Sequence, residues 1–272
     1  APHVTGAIAL YAAAHPEATA AEIRNALLTT TVATASLTGK TVTGGRLDVD
    51  SMLDVVPCFT TGTRIATPCG EVAVEDLVPG DLVLTREGTP RPVRWIGHRA
   101  YAARFVAANR PIQPICIRAG ALGGGRPARD LYLSPLHALW FETGCGGVLV
   151  PAAALVNGTS ITRCRTFGDV RYLHVELDDH AVLLAEGAPA ESFIDSASRG
   201  MFATGLGTPG TASRPCGPRL EHGLALETIR ARLATLAGLA PLGAPGAMHG
   251  HVDRVGGGCI EGWVQDLANP GH

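Results

Sequence analysis

Short apolar stretches separated by turn-forming residues dominate the chain between Cys58 and Phe193. Apolar and polar side chains alternate within many of these stretches, which is the period of a β-strand that buries one face. Gly, Pro, Asp and Asn stand between the stretches and favour hairpin turns. The pattern predicts an all-β unit with strands at 63–66, 71–74, 82–85, 92–96, 115–118, 131–133, 148–150, 171–177 and 181–185.

Two helices are predicted ahead of this unit. The alanine-rich segment 2–14 has helical character and stops before Pro16, because proline cannot continue the helical hydrogen-bond ladder. The T-x-x-E capping pattern of Thr19 and Glu22 introduces a second helix. A short extended piece, 46–49, then leads towards the β unit.

The chain after the β unit has a different character. Residues 196–218 are rich in Gly, Ser, Thr and Pro without periodicity, which predicts a linker. Leucine and isoleucine at helical spacing predict one amphipathic helix over 221–237. The last segment, 251–272, has the pattern of the first strands of a further β module.

Composition and charge argue against two classes of protein, those that bind nucleic acid and those that span a membrane. The chain has 272 residues, 46% of them hydrophobic, and a formal net charge of -2. It has no basic block that would follow a phosphate backbone, so nucleic acid is not expected as a partner. Apolar runs are all interrupted before the roughly 20 residues that a membrane span requires.

The seven cysteines show no C-x-x-C pair, so neither a structural zinc site nor a dense disulfide framework is expected. His249, His251 and Cys259 lack companion ligands and have glycine-rich flanks, which favours solvated side chains. No cofactor and no metal are therefore predicted.

Cys58 stands at the start of the β unit. A thiol in this place can attack the carbonyl of the preceding peptide bond and convert an amide to a thioester. The chain from Cys58 onwards resembles the bacterial branch of the Hedgehog/intein (Hint) family, through a G-T-x-I strand at 62–65 and a V-E-x-L-x-x-G-D-x-V hairpin at 74–77 and 80–83. The resemblance implies a self-processing domain that breaks the Pro57-Cys58 bond.

The resemblance also extends to the residues that would assist Cys58. Ser134 and His137 match the family's T/S-x-x-H, in which the histidine protonates the scissile nitrogen and the hydroxyl helps to hold the strained carbonyl or its oxyanion. The block from Tyr172 to Gly187 resembles the family's C-terminal block and holds His174 and His180. Either histidine could deprotonate Cys58.

One departure from splicing members of the family decides the expected outcome. A splicing intein ends in His-Asn, and the asparagine side chain cyclises to free the downstream segment, whereas this chain has Glu191-Ser192. Neither residue can cyclise as asparagine does. The prediction is one-sided cleavage, with the chain's own polypeptide as substrate and water or another small nucleophile resolving the thioester.

The N-terminal segment resembles the end of a subtilisin-like serine protease domain, through APHVTGAIALYAAAHP and the later GGRLDVD. The family's catalytic serine would precede Ala1, so this segment alone cannot be a protease, and His3 is expected to pack in a helix. The resemblance implies a secreted or cell-surface bacterial protein. The alternative is a protease fragment whose β domain is only an inactive scaffold or interaction module.

The predicted fold is mainly β: a compact, pseudo-symmetric Hint fold, preceded by a two-helix remnant of an α/β subtilisin-like domain and followed by a helix and a truncated β fragment. The domain limits are 1–56 for the protease remnant, 57–195 for the Hint domain, 196–219 for the linker, 220–240 for the helical segment and 250–272 for the truncated module.

Overall fold

The structure is a computed structural model, and it describes residues 2–14, 20–29, 31–49, 57–144, 146–194, 204–207, 214–239, 248–256 and 259–266. Four α-helices lie in these ranges: α1 (Pro2–Ala14), α2 (Ala20–Thr29), α3 (Ala103–Ala108) and α4 (Leu224–Leu236).

Strands make up most of the regular structure in these ranges, as the apolar pattern predicts. In chain order they are β1 (Val32–Ala33), β2 (Gly45–Arg46), β3 (Phe59–Thr60), β4 (Arg64–Thr67), β5 (Gly70–Ala73), β6 (Leu82–Leu84), β7 (Pro90–Pro92), β8 (Trp95–Tyr101), β9 (Ile115–Ile117), β10 (Leu131–Leu133), β11 (Ala138–Thr143), β12 (Gly146–Pro151), β13 (Ile161–Arg163), β14 (Val170–Glu176), β15 (Val182–Ala185), β16 (Ala188–Glu191), β17 (Thr204–Gly207), β18 (Met248–Gly256) and β19 (Cys259–Asp266).

Two antiparallel sheets form the body of the β unit. The seven-stranded sheet has the order β13-β9-β10-β3-β14-β8-β17, and the six-stranded sheet has the order β12-β11-β16-β15-β4-β5. One buried apolar cluster takes Phe59, Leu133 and Leu173 from the first sheet and Leu139 and Leu183 from the second. The core therefore joins the two sheets, because alternate side chains of each strand point to the same face.

The other face of the seven-stranded sheet carries a second, smaller cluster. It contains Cys58, Tyr172 and Tyr101 from the sheet, together with Val106 of α3 and Ile112 of the short 3-10 turn Arg110–Ile112. Cys58 therefore lies outside the main core, on the face of the sheet that α3 and the Arg110–Ile112 turn cover.

The segment after the β unit is part of its packing. Leu226, Ile229 and Leu233 of α4 belong to the main apolar cluster, at the i, i+3, i+7 spacing of one helix face. Strand β17 pairs with β8, although the sequence predicts a linker there. Glycine and threonine can pair at a sheet edge because edge pairing needs only backbone groups.

The predicted helix 2–14 is confirmed by α1, and the helix predicted over 221–237 is found as α4. The strand predicted at 92–96 is placed wrongly, since the chain changes partner there: Val93 N–H donates to Asp81, whereas Arg94 N–H donates to Glu176. Thr19 of the predicted capping box lies outside the described residues. No helix within the described ranges is long and apolar enough to cross a membrane.

Candidate active site

Strand register brings the first residue of the β unit next to a histidine. Phe59 pairs with Leu173 and Thr60 with Tyr172, so continuing this antiparallel register by one residue places Cys58 opposite His174. Gly97 on β8 pairs with His174 from the other side. A side chain at Gly97 would collide with the Trp95 ring, because an added Cβ would lie 2.0 Å from it.

Cys58 and His174 are in direct contact. The Cys58 Sγ atom lies 2.7 Å from His174 Nε2, and the two residues are 2% and 1% exposed. Burial raises the pKa of the Cys58 thiol well above its usual value, although nearby Arg99 and Ser134 act in the opposite direction. Burial lowers the pKa of His174 well below its usual value, and the charges of His137 and Arg99 add to this effect. The resting pair is therefore a neutral thiol beside a neutral imidazole that can accept its proton.

Ser134 binds the backbone of Cys58. The Cys58 N–H donates to Ser134 Oγ at 2.8 Å, and the Ser134 N–H donates to the Cys58 carbonyl oxygen at 3.0 Å. The first of these bonds involves the nitrogen of the Pro57-Cys58 peptide bond. Ser134 therefore fixes the nitrogen at which the chain would break.

His137 follows Ser134 in a turn and packs its ring 4.3 Å from the ring of Phe59. Neither ring nitrogen of this buried side chain has a hydrogen-bond partner among the residues that the structure describes. Burial lowers the pKa of His137 to about 4, although the Glu191 carboxylate favours the charged form. A buried polar group without a protein partner is unusual in a folded protein, and a catalytic role is one explanation for it.

His180 lies in different surroundings. Its Nδ1 accepts a hydrogen bond from the Cys216 N–H at 3.0 Å, and its Nε2 lies 3.6 Å from Glu191 Oε2. Burial alone would lower its pKa, but the contacts with Cys216 and Glu191 raise the pKa of His180 to about 9. Of the two histidines that the sequence proposes as bases for Cys58, the structure therefore places His174 at the thiol and His180 at Glu191.

Arg99 is a buried cation that the sequence analysis missed. Its side chain is almost fully enclosed, and its Cζ lies 5.3 Å from the centre of the Tyr101 ring and 5.4 Å from that of Tyr11 in α1. Its charge acts on both Cys58 and His174. One signal in the sequence could have identified it, namely an arginine on the alternating face of W-I-G-H-R-A-Y that also carries Tyr101.

The remaining predictions concern the scissile bond and metals. Pro57 is half-buried at the start of a described range, directly before Cys58. Across the described ranges, no three or more His, Cys, Asp or Glu side chains come together as a metal ion would require.

The fold and the site together define a class: a mainly β domain that begins with a buried cysteine, held between a histidine of β14 and a serine directly after β10. Residues 57–197 match the protein family described as the Hint domain. The chain therefore belongs to the Hint domain family.

The solved structures that align with this chain include inteins and an intein-like domain. The crystal structure of the gp41-1 intein aligns with a TM-score of 0.35 at 14% identity over 50% of this chain and 98% of its own. The MchDnaB-1 intein aligns with a TM-score of 0.33 at 16% identity, over 48% of this chain and 98% of its own. The bacterial intein-like domain from Clostridium thermocellum aligns with a TM-score of 0.34 at 16% identity, over 51% of this chain and all of its own. The search of curated proteins found no match.

Proposed function

We propose that this chain cleaves its own backbone between Pro57 and Cys58 through a thioester. The observation that supports this proposal best is the 2.7 Å contact between Cys58 Sγ and His174 Nε2. A buried thiol with a raised pKa is a weak nucleophile until a base takes its proton, and His174 is a neutral base within reach.

The proposed first step is balanced in atoms and charge. Cys58 Sγ attacks the Pro57 carbonyl carbon while the thiol proton passes to His174. The carbon-nitrogen bond then breaks, its electron pair stays on the Cys58 nitrogen, and that nitrogen takes up one proton. One proton leaves the thiol for His174 and one proton is added to the Cys58 nitrogen, so the step consumes no net proton.

We assign the delivery of that proton to His137. Its pKa of about 4 makes its charged form a far stronger acid than an α-amine, whose ordinary pKa is about 8. His137 in its charged form would therefore protonate the amine. Ser134, which accepts the N–H of Cys58, keeps that nitrogen in place.

The second half of the reaction would be hydrolysis or attack by another small nucleophile on the thioester. Splicing is not proposed, because Glu191 and Ser192 occupy the place of His-Asn and both side chains are engaged in the fold. Glu191 Oε1 accepts the Ala138 N–H at 2.7 Å, and Ser192 Oγ accepts the Ala181 N–H at 3.0 Å. The reaction would thus release residues up to Pro57 as one product.

We further propose, from the sequence resemblance, that the upstream product is the end of a subtilisin-like protease domain of a secreted bacterial protein. The two consecutive helices α1 and α2 agree with the two-helix pattern of that resemblance. The rival proposal is that the β domain is an inactive scaffold for such a protease, and the cleavage assay below separates the two.

The test uses the full chain with an N-terminal tag. Mass spectrometry after addition of dithiothreitol or hydroxylamine is expected to show one fragment that begins at Cys58 and one that ends at Pro57, the latter as a hydroxamate with hydroxylamine. Cys58→Ala is expected to stay intact, and Cys69→Ala, which alters an exposed cysteine, is expected to cleave normally. Absence of cleavage in the parent chain, or equal cleavage in Cys58→Ala, would favour the scaffold.

A further inference from the structure

The two peptide groups that flank His137 are both held by side chains from other parts of the chain. The Ala138 N–H donates to Glu191 Oε1 at 2.7 Å, and Arg219 Nη2 donates to the Leu136 carbonyl oxygen. Arg219 Nη1 also donates to both carboxylate oxygens of Glu191, at 3.2 and 3.4 Å. The ion pair of Glu191 and Arg219 therefore forms hydrogen bonds with the backbone on both sides of His137.

Glu191 is held in its charged form by this arrangement. It is 2% exposed, and burial alone would raise its pKa, but its contacts with His180, His137, Arg219 and the Ala138 N–H lower the pKa of Glu191 overall. A buried carboxylate is costly unless its oxygens are bonded, and apolar residues would often stabilise a core equally well. A complete set of partners around Glu191 indicates a role in fixing geometry.

Arg219 belongs to a segment that the family match does not include, since that match ends at residue 197. The backbone on either side of Arg219 is nevertheless attached to β12. The Leu149 N–H donates to the Pro218 carbonyl oxygen at 2.9 Å, and the Leu220 N–H donates to the Leu149 carbonyl oxygen at 2.8 Å. The segment then continues into α4, which inserts three side chains into the main core. The position of Arg219 is therefore fixed by the fold.

We propose that Glu191 and Arg219 are positioning residues that set the orientation of His137, and that residues 214–239 are a working part of the processing domain. This inference rests on the proposed cleavage reaction. In the place where a splicing intein has the histidine of its terminal His-Asn, this chain would have a carboxylate that serves the first step of the reaction.

The charges around His137 give a signature that distinguishes contact of Glu191 and Arg219 with His137 from general loosening of the turn. The groups that act on His137 are Glu191 and Arg219, together with His174 and the backbone of Cys58 at the scissile bond. Glu191 favours the charged form of His137, whereas Arg219 disfavours it. Removing one charge or the other should therefore move the pKa of His137 in opposite directions, while general loosening of the turn would move it the same way in both variants.

The first experiment measures this signature in the full chain carrying Cys58→Ala, in which no cleavage occurs. Nuclear magnetic resonance titration of the His137 ring is expected to show a pKa above the parent value of about 4 in Arg219→Met and below it in Glu191→Gln. Arg230→Met is the matched control, since Arg230 pairs with Glu227 on the exposed side of α4, and it should leave the titration unchanged. Shifts in the same direction, or no shift, would overturn the inference.

The second experiment measures cleavage in chains that retain Cys58. Misplacing a proton donor by about 1 Å can cost about a hundredfold in rate, so Arg219→Met is expected to slow cleavage by about tenfold to a hundredfold. Arg219→Lys keeps the charge but cannot span Leu136 and Glu191 together, and it should slow cleavage by about tenfold with little change in the His137 titration.

Circular dichroism decides whether each variant is folded. If Arg219→Met does not fold, Arg219→Lys carries the test, and a rate equal to that of the parent chain and of Arg230→Met would overturn the inference. Absence of cleavage in the parent chain would count against the proposed reaction alone, because the titration in Cys58→Ala still judges the contact of Glu191 and Arg219 with His137.

Discussion

Ser134 and Cys58 are joined by two hydrogen bonds that run in opposite directions. The serine hydroxyl oxygen accepts the Cys58 N–H, and the Cys58 carbonyl oxygen accepts the Ser134 N–H. The second bond continues the pairing of β3 with β10, whereas the first replaces a backbone acceptor by a side chain. The scissile nitrogen is therefore tied to a hydroxyl group that can both accept and donate a hydrogen bond.

Ser134→Ala should destabilise the fold. Both residues are buried, so the variant leaves the Cys58 N–H without its acceptor, and such a group costs about 1–3 kcal/mol. We expect this loss in the free energy of unfolding, measured with urea in the Cys58→Ala background. Ser160→Ala is the control, since the Ser160 hydroxyl oxygen accepts the Asn157 side-chain N–H in a part-buried turn, and its loss should be about 0.5 kcal/mol. Equal losses in the two variants would contradict the proposed bond.

His174→Gln should slow cleavage much more than His180→Gln. A general base contributes about 10²–10⁴-fold to a rate, and His174 is the histidine at the thiol. His180 Nε2 lies 3.6 Å from Glu191 and not at the thiol, so its replacement should act indirectly and reduce the rate by less than about tenfold. Quantifying the fragment that begins at Cys58 over time compares the variants. The reverse order would assign the base to His180.

Acid should destabilise the fold through His137. A histidine with a folded pKa of about 4 and an unfolded pKa of about 6.5 leaves the unfolded chain with more bound protons between those values. The contribution of His137 to the free energy of unfolding is complete above pH 6.5. It falls by about 3 kcal/mol as the pH falls to 4. His174 acts in the same direction, whereas His180, with its raised pKa, loses its contribution as the pH rises from 6.5 to about 9.

The measurement is the free energy of unfolding from pH 8 to pH 4 in Cys58→Ala, with and without His137→Gln. The double variant should lose stability less steeply below pH 6.5. Parallel curves would show that His137 is not buried in its neutral form.

Helix α4 should prove to be part of the β domain's core. Leu233→Ala removes a side chain that is buried in the main apolar cluster, and such changes cost about 2–5 kcal/mol. Leu236→Ala, at a half-exposed position of the same helix, should cost less than about 1 kcal/mol. Urea unfolding followed by tryptophan fluorescence compares the two. Equal, small losses would mean that the helix folds apart from the sheets.

The apolar pattern was sufficient to predict β10, and also β14, which is buried on both faces. It did not predict β3, because two residues carry no period, nor β17, because its glycines and threonine give no apolar signal. Strand β11 was missed although it contains the apolar run L-W-F, followed by Glu142 and Thr143. Its indole packs on Gly147, where an added Cβ would lie 1.7 Å from the ring, and such a long-range requirement is invisible in one strand's sequence.

Some residues of the candidate site could likewise be predicted from the sequence, and others could not. Cys58, Ser134, His137 and His174 could be proposed from the sequence because each belongs to a short motif with a chemical reason. Arg219 could not, since its role depends on Leu149 drawing a distant segment alongside β12. Glu191 drew attention in the sequence only because Glu191-Ser192 stands where a splicing intein has His-Asn, whereas its bond to the Ala138 N–H becomes visible only in three dimensions.

The Tyr11 ring lies over the Arg99 guanidinium, and both side chains are 2% exposed. Tyr11 precedes the proposed cleavage point, whereas Arg99 follows it. Cutting the backbone would therefore leave a cation–π contact between the two products, of the kind worth about 2 kcal/mol when shielded from water. Breaking the bond and separating the two products are then distinct events, and the products stay together until this contact opens.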